Sequence, residues 1–105
     1  PETNHYGIDI GGDFGYAIWT VDDGVVVYSG WNNYGYGNVV VIDHGNGWQS
    51  LYAHLDYINY DCGAYVYEGD IIGGMGSTGN STGPHLHFEL RSSSYGRPNP
   101  MDWLN

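Results

Sequence analysis

A chain of 105 residues has room for one domain, which by surface-to-volume scaling buries about 60 to 70% of its unfolded surface. Its formal net charge of −10, from 12 carboxylates against Arg91 and Arg97 with no lysine, would repel a phosphate backbone and argues against a nucleic-acid partner. The only cysteine, Cys62, excludes an internal disulfide and a four-cysteine metal site, and no apolar stretch approaches the roughly 20 residues of a transmembrane span.

The composition points to β-structure. Tyrosine (11) and tryptophan (4) supply much of the hydrophobic fraction, and 18 glycines lie scattered between short apolar runs, as frequent turns between short strands require. Strands are predicted over residues 5–10, 16–20, 25–31, 38–44, 48–55, 64–67, 71–73 and 85–91. Asp22-Asp23-Gly24 marks a reversal. Asn46-Gly47, between Val39-Val40-Val41-Ile42 and Ser50-Leu51-Tyr52-Ala53, is the strongest hairpin signal and predicts that these two strands pair antiparallel. No long segment keeps a 3.6-residue period, so helix is limited to a turn at 55–60 or at 100–104, where Pro100 can open one. The expected fold is mainly β: a single compact domain of antiparallel sheets with short hairpins and little or no helix.

Residues 73–83 are rich in glycine, serine and threonine but lack the lysine of a phosphate-binding loop. They read as a tight connection into the next strand, in a place where they can also line a cleft. The segments 24–28 and 63–67 are loosely alike, which is too little to establish a repeat. Cys62, in Asp61-Cys62-Gly63, reads as a turn residue rather than a catalytic thiol.

Of the five histidines, those in His85-Leu86-His87-Phe88-Glu89-Leu90 carry the clearest pattern. Strand side chains alternate, so His85, His87 and Glu89 share one face and Leu86, Phe88 and Leu90 the other. Two same-face imidazoles about 7 Å apart can bind one metal together, or one can bind while the other serves a reacting group. Alternatively, such a face simply meets water.

In His5-Tyr6-Gly7-Ile8-Asp9 an extended backbone likewise puts His5, Gly7 and Asp9 on one side, and Gly7 leaves space for an ion between the possible ligands. Two imidazoles and a carboxylate suit a catalytic zinc with an open position. His54 falls at the end of a hairpin strand, where a structural role is equally plain. His44, at the start of the hairpin turn, reads as exposed and without a special role.

Together these motifs resemble the LytM/lysostaphin-type zinc metallopeptidases. The likeness runs through His5-Tyr6-Gly7-Ile8-Asp9-Ile10, Asp23-Gly24-Val25-Val26, Gly37-Asn38-Val39-Val40-Val41-Ile42-Asp43-His44-Gly45, Leu51-Tyr52-Ala53-His54-Leu55, Gly76-Ser77-Thr78-Gly79 and Ser81-Thr82-Gly83-Pro84-His85-Leu86-His87-Phe88-Glu89. The resemblance implies a duplicated-hybrid-motif β fold and hydrolysis of peptide bonds in bacterial peptidoglycan. It assigns His5, Asp9 and His87 to Zn2+ and His54 and His85 to catalysis, with Glu89 free to orient a ligand.

The resemblance further implies an extracellular or cell-envelope protein, here a monomer, with residues 1–105 one peptidase domain excised from a longer precursor. One departure is Gly12-Asp13-Phe14-Gly15, where the family more usually has a proline-containing turn. A non-catalytic wall-binding or regulatory domain on the same scaffold is the alternative, opposed by the presence of all five residues. An iron oxygenase or cupin is opposed by spacing, with Arg91 standing where a cupin has glutamate. A phosphoryl carrier with paired histidines would not need Asp9.

Overall fold

Short β-branched and aromatic runs separated by glycine turns become strands, and their alternating faces decide where each strand packs. The computed structural model describes residues 7–79 and 81–92. Within them lie β1 (Gly7–Gly11), β2 (Ala17–Trp19), β3 (Gly24–Asn32), β4 (Gly37–Asp43), β5 (Trp48–Ile58), β6 (Tyr65–Val66), β7 (Ile71–Met75) and β8 (His85–Ser92). The described residues contain no helix.

All pairings are antiparallel, and the main path runs β1-β8-β5-β4-β3-β6. The β4–β5 hairpin forms as the sequence predicts, with Ile42 opposite Ser50, and Gly45 and Gly47 both turn at positive φ. The similar segments around Gly24 and Tyr65 are neighbours, because β3 pairs with β6.

Strand β5 organises the sheet. Its first part pairs with β4 on one side and with β8 on the other, through Ala53 opposite His87. Its last part leaves β8 and pairs with β7, Leu55 opposite Met75 and Ile58 opposite Gly73. The helical turn expected at 55–60 is therefore strand as far as Ile58. Local sequence there is ambiguous, and the open edge of β7 captures it. The other expected turn, at 100–104, lies outside the described residues.

The switch needs a bulge, and β5 has one between Leu55 and Tyr57. Gly76 makes room for it: a Cβ there would sit 2.6 Å from the Asp56 amide nitrogen and 2.8 Å from its Cα. The β2–β7 pair then covers one face of the sheet. Ile18, Ile72 and Met75 pack there against Val40, Ile42, Tyr52, Leu86, Phe88 and Leu90. On the opposite face Val39, Val41, Leu51 and Ala53 form a second cluster with Tyr36. Residues 39–42 are buried on both faces, which accounts for an unbroken apolar run.

Tyr52 is 1% exposed, and its hydroxyl accepts from the Val21 amide at 3.1 Å while donating to Ser50 Oγ at 2.7 Å. His44 completes this chain. Its Nδ1–H donates to the Asp23 carbonyl at 2.7 Å and its Nε2 lies 2.8 Å from Ser50 Oγ. His44, expected to be exposed, is half-buried and ties the hairpin to the Asp22–Asp23 turn.

Two stability outcomes follow from this packing. Gly76→Ala drives a Cβ into the backbone of the bulge and lowers unfolding stability by about 1–3 kcal/mol, measurable by urea titration. Burial pushes the Tyr52 phenol above its ordinary value. The unfolded chain therefore loses that proton first. Stability is intact below about pH 10 and falls as pH rises from there through the folded value, a loss that Tyr52→Phe reduces in alkaline denaturation curves.

Candidate functional site

Strand β8 presents the site. Its face of His85, His87, Glu89 and Arg91 follows the two-residue period, while Leu86, Phe88 and Leu90 enter the core, as the sequence predicts. Strand β1 lies alongside in a register that sets Asp9 directly opposite His87. Gly7 is the close-approach residue: a Cβ there would meet the Phe88 carbonyl oxygen at 2.6 Å and His87 Cε1 at 2.9 Å.

His54 reaches the same face from β5 by a different device. Between Tyr52 and Leu55 the strand carries one extra residue against β4, and His54 itself adopts φ 64°. This left-handed conformation costs roughly 1–2 kcal/mol in a non-glycine residue, and the bulge re-aims the side chain. The His54 amide donates to the Tyr36 carbonyl at 2.9 Å, which holds the distorted backbone in place. The result is a ring centroid 4.6 Å from His85 and 6.1 Å from His87.

Carbonyl acceptors settle two of the tautomers. His54 Nδ1 is 2.7 Å from the Thr78 carbonyl oxygen and must donate, so Nε2 carries the lone pair. His85 Nδ1 is 3.0 Å from the Gly83 carbonyl and from Ser81 Oγ, which again leaves Nε2 as the acceptor. That nitrogen lies 3.8 Å from Asp9 Oδ1. Burial pulls His54 below the usual histidine range, with the neighbouring His85 and His87 acting in the same direction and the Thr78 bond opposing them. At neutral pH it is a proton acceptor.

His87 differs because carboxylates face both of its nitrogens. Nδ1 is 2.8 Å from Asp9 Oδ1, and Nε2 is 2.8 Å from Glu89 Oε2. The bond to Glu89 raises the His87 pKa most, burial works against it, and Asp9 adds to the rise. Burial pushes Glu89 up, but hydrogen bonds from His87 and Tyr36 and the charge of Arg91 outweigh it and bring the carboxyl down to about 2. With Nε2–H given to an ionised Glu89, a positive charge must stand between Nδ1 and Asp9, either a proton or a metal ion.

Asp9 and His87 are therefore a fitting pair of metal ligands, one hard oxygen and one imidazole. His5, the expected third ligand, lies outside the described residues, and among those described no group of three or more His, Cys, Asp or Glu is arranged to hold an ion. Asp9, His54, His85 and His87 line one open cleft of about 370 Å³ together with Tyr34, Tyr36, Ser81 and Thr82. The 73–83 segment thus serves both as connection and as cleft wall. Sequence reasoning offers Tyr34 and Tyr36 only as possible walls of a substrate groove, which both line; the bonds of Tyr36 and Arg91 to Glu89 escape it, because they depend on a turn and a strand meeting across the sheet.

Known proteins are similar to this chain in sequence and fold. Glycyl-glycine endopeptidase ALE-1 of Staphylococcus capitis is 40% identical over 100 residues, covering 94% of this chain and 28% of that protein. The chain spans only 20% to 28% of the length of the curated relatives it matches first. The catalytic domain of the antimicrobial peptidase lysostaphin from Staphylococcus simulans superposes with a TM-score of 0.89 at 39% identity, over 95% of this chain and 78% of that one. A zinc-containing peptidase from Vibrio cholerae superposes with a TM-score of 0.77 at 38% identity, over 82% of this chain and 26% of that one. The family profile described as peptidase family M23 matches residues 3–100, and the chain belongs to that family.

Proposed function

We propose that this chain is a zinc-dependent endopeptidase domain that hydrolyses peptide bonds in the cross-bridges or stem peptides of bacterial peptidoglycan. Residues 1–105 form the peptidase domain, acting as a monomer outside the cell or in its envelope. In this reading His5, Asp9 and His87 hold the metal, and His54 and His85 act on the reacting groups. The observation that carries it is the clustering of the His54 and His85 rings, each with Nδ1 bound to a carbonyl, beside an Asp9–His87 pair that shares a proton or a metal ion.

Zinc, when bound, would supply a Lewis acid that polarises the scissile carbonyl and makes water a stronger nucleophile. The chain's own residues then handle the protons. His54 is kept neutral by burial and takes the proton of the attacking water at Nε2, returning it to the departing amine. Its Nδ1–H stays with the Thr78 carbonyl throughout, so the ring does not turn when charge arrives. His85 is held in the same way by Gly83 and orients the water or the carbonyl oxygen from its Nε2. An extended peptide fits the open cleft between Tyr34 and the 81–82 segment.

The experiment is digestion of purified peptidoglycans of differing cross-bridge chemistry, with metal analysis of the protein and mass spectrometry of the fragments. Wild type should carry stoichiometric zinc and release peptide fragments. Wall binding without zinc or cleavage would make the domain a regulator. His54→Ala and His85→Ala should each retain zinc and lower kcat by about 10²- to 10⁴-fold. Asp9→Ala and His87→Ala should instead lose zinc, and with it cleavage of every wall.

A further inference from the structure

The strand face that carries the two imidazoles does not end with them. Glu89 and Arg91 continue it, and Glu89 is only 4% exposed. A carboxylate at that depth stays ionised only if donors and opposite charge surround it. Arg91 Nε donates to Oε1 at 3.0 Å, and the Tyr36 hydroxyl donates to Oε2 at 2.7 Å. Arg91 Nη2 also reaches the Tyr36 hydroxyl at 3.3 Å, so three side chains close into a ring beside His87.

Tyr36 arrives from the β3–β4 turn and meets the site at three points. Its ring stacks on the His87 imidazole at 5.9 Å with 22° between planes, its hydroxyl binds Glu89, and its carbonyl accepts from the His54 amide. Glu89 in turn receives Nε2–H of His87 and so fixes which nitrogen faces Asp9. Tyr36 and Arg91 bind one carboxylate oxygen each and so restrain its rotation. That restraint steadies the bond that aims Nδ1 of the imidazole.

We infer that Tyr36 and Arg91 are positioning residues that act through Glu89 to hold His87 in its metal-binding orientation. The inference rests on the zinc-peptidase reading for its consequence, but the hydrogen-bonded ring exists without metal. Its effect should therefore appear both in the metal-free protein and in zinc affinity.

Tyr36→Phe keeps the ring, the stacking and the backbone bond and removes only the hydroxyl, while Arg91→Met keeps most of the stem. In the metal-free protein, nitrogen-resolved NMR should show the His87 Nε2–H proton protected from exchange with water. Exchange should quicken in both variants, with the remaining spectrum unchanged. Chelator competition should show zinc binding weakened about tenfold by either substitution. Tyr36→Phe should add nothing further in a Glu89→Gln background, because its effect passes through that carboxylate.

Unchanged exchange and affinity in both variants would overturn the inference. So would an equal additional loss of affinity in the Glu89→Gln background, which would mean that Tyr36 acts by another route. A wild-type protein that binds no zinc would instead sink the endopeptidase reading, and the exchange measurement alone would then decide the positioning role.

Discussion

The double hydrogen bonding of β8, to β1 on one side and to β5 on the other, is the constraint on which the rest depends. A strand paired on both edges cannot slip by one residue without turning its core face outward, so its register is firmly set. Leu86, Phe88 and Leu90 fix that register by burial, and His85, His87, Glu89 and Arg91 are thereby forced onto the other face. Asp9 and Ala53 follow because each is the registered partner of His87. The chemistry is thus aligned by apolar burial on the far side of the same strand.

His54 is the exception to this regularity, and its position depends on strain. A left-handed histidine within a strand is unfavourable alone, so neighbouring contacts must hold it: the Tyr36 carbonyl on its amide and the Thr78 carbonyl on its ring. Thr78 is itself anchored, since its hydroxyl donates to the Leu55 carbonyl and accepts from the Asn38 amide. Gly37 and Gly79 approach so closely that neither can carry a side chain against the other's backbone. The bulge that turns β5 towards β7 and the strain that aims His54 lie side by side.

Much of this was legible in the sequence where a period-two pattern had only one apolar face to bury. The His-x-His strand, with its alternation over residues 85–91, is of this kind, whereas the hairpin through Asn46-Gly47 was legible from its turn residues; each forms at nearly the predicted bounds. The motif resemblance to the zinc metallopeptidases likewise anticipated the family membership. What escaped had its cause elsewhere in the chain. The 55–58 segment has no pattern that distinguishes a turn from a strand until β7 offers an edge. His44 looks unengaged because its partners, the Asp23 carbonyl and Ser50 Oγ, belong to a turn and a strand that meet only after folding. The Tyr36–Glu89–Arg91 ring is a long-range contact of the same sort, spanning 53 residues between Tyr36 and Glu89.

Charge placement joins these observations. A chain with 12 carboxylates and two arginines must keep like charges apart, and most of the acids point to water. At the site the opposite occurs: Asp9 and Glu89 flank one imidazole, and Arg91 offsets only the inner carboxylate. The outer one, Asp9, has a side chain 65% exposed and sits on β1, which among the described residues pairs only with β8. Solvent can screen its charge, but its 2.8 Å approach to Nδ1 still calls for a proton or a metal ion shared by the two. A metal ion shared by Asp9 and His87 would therefore link an edge strand to the centre of the sheet, so the energy of binding it would also be energy of ordering β1.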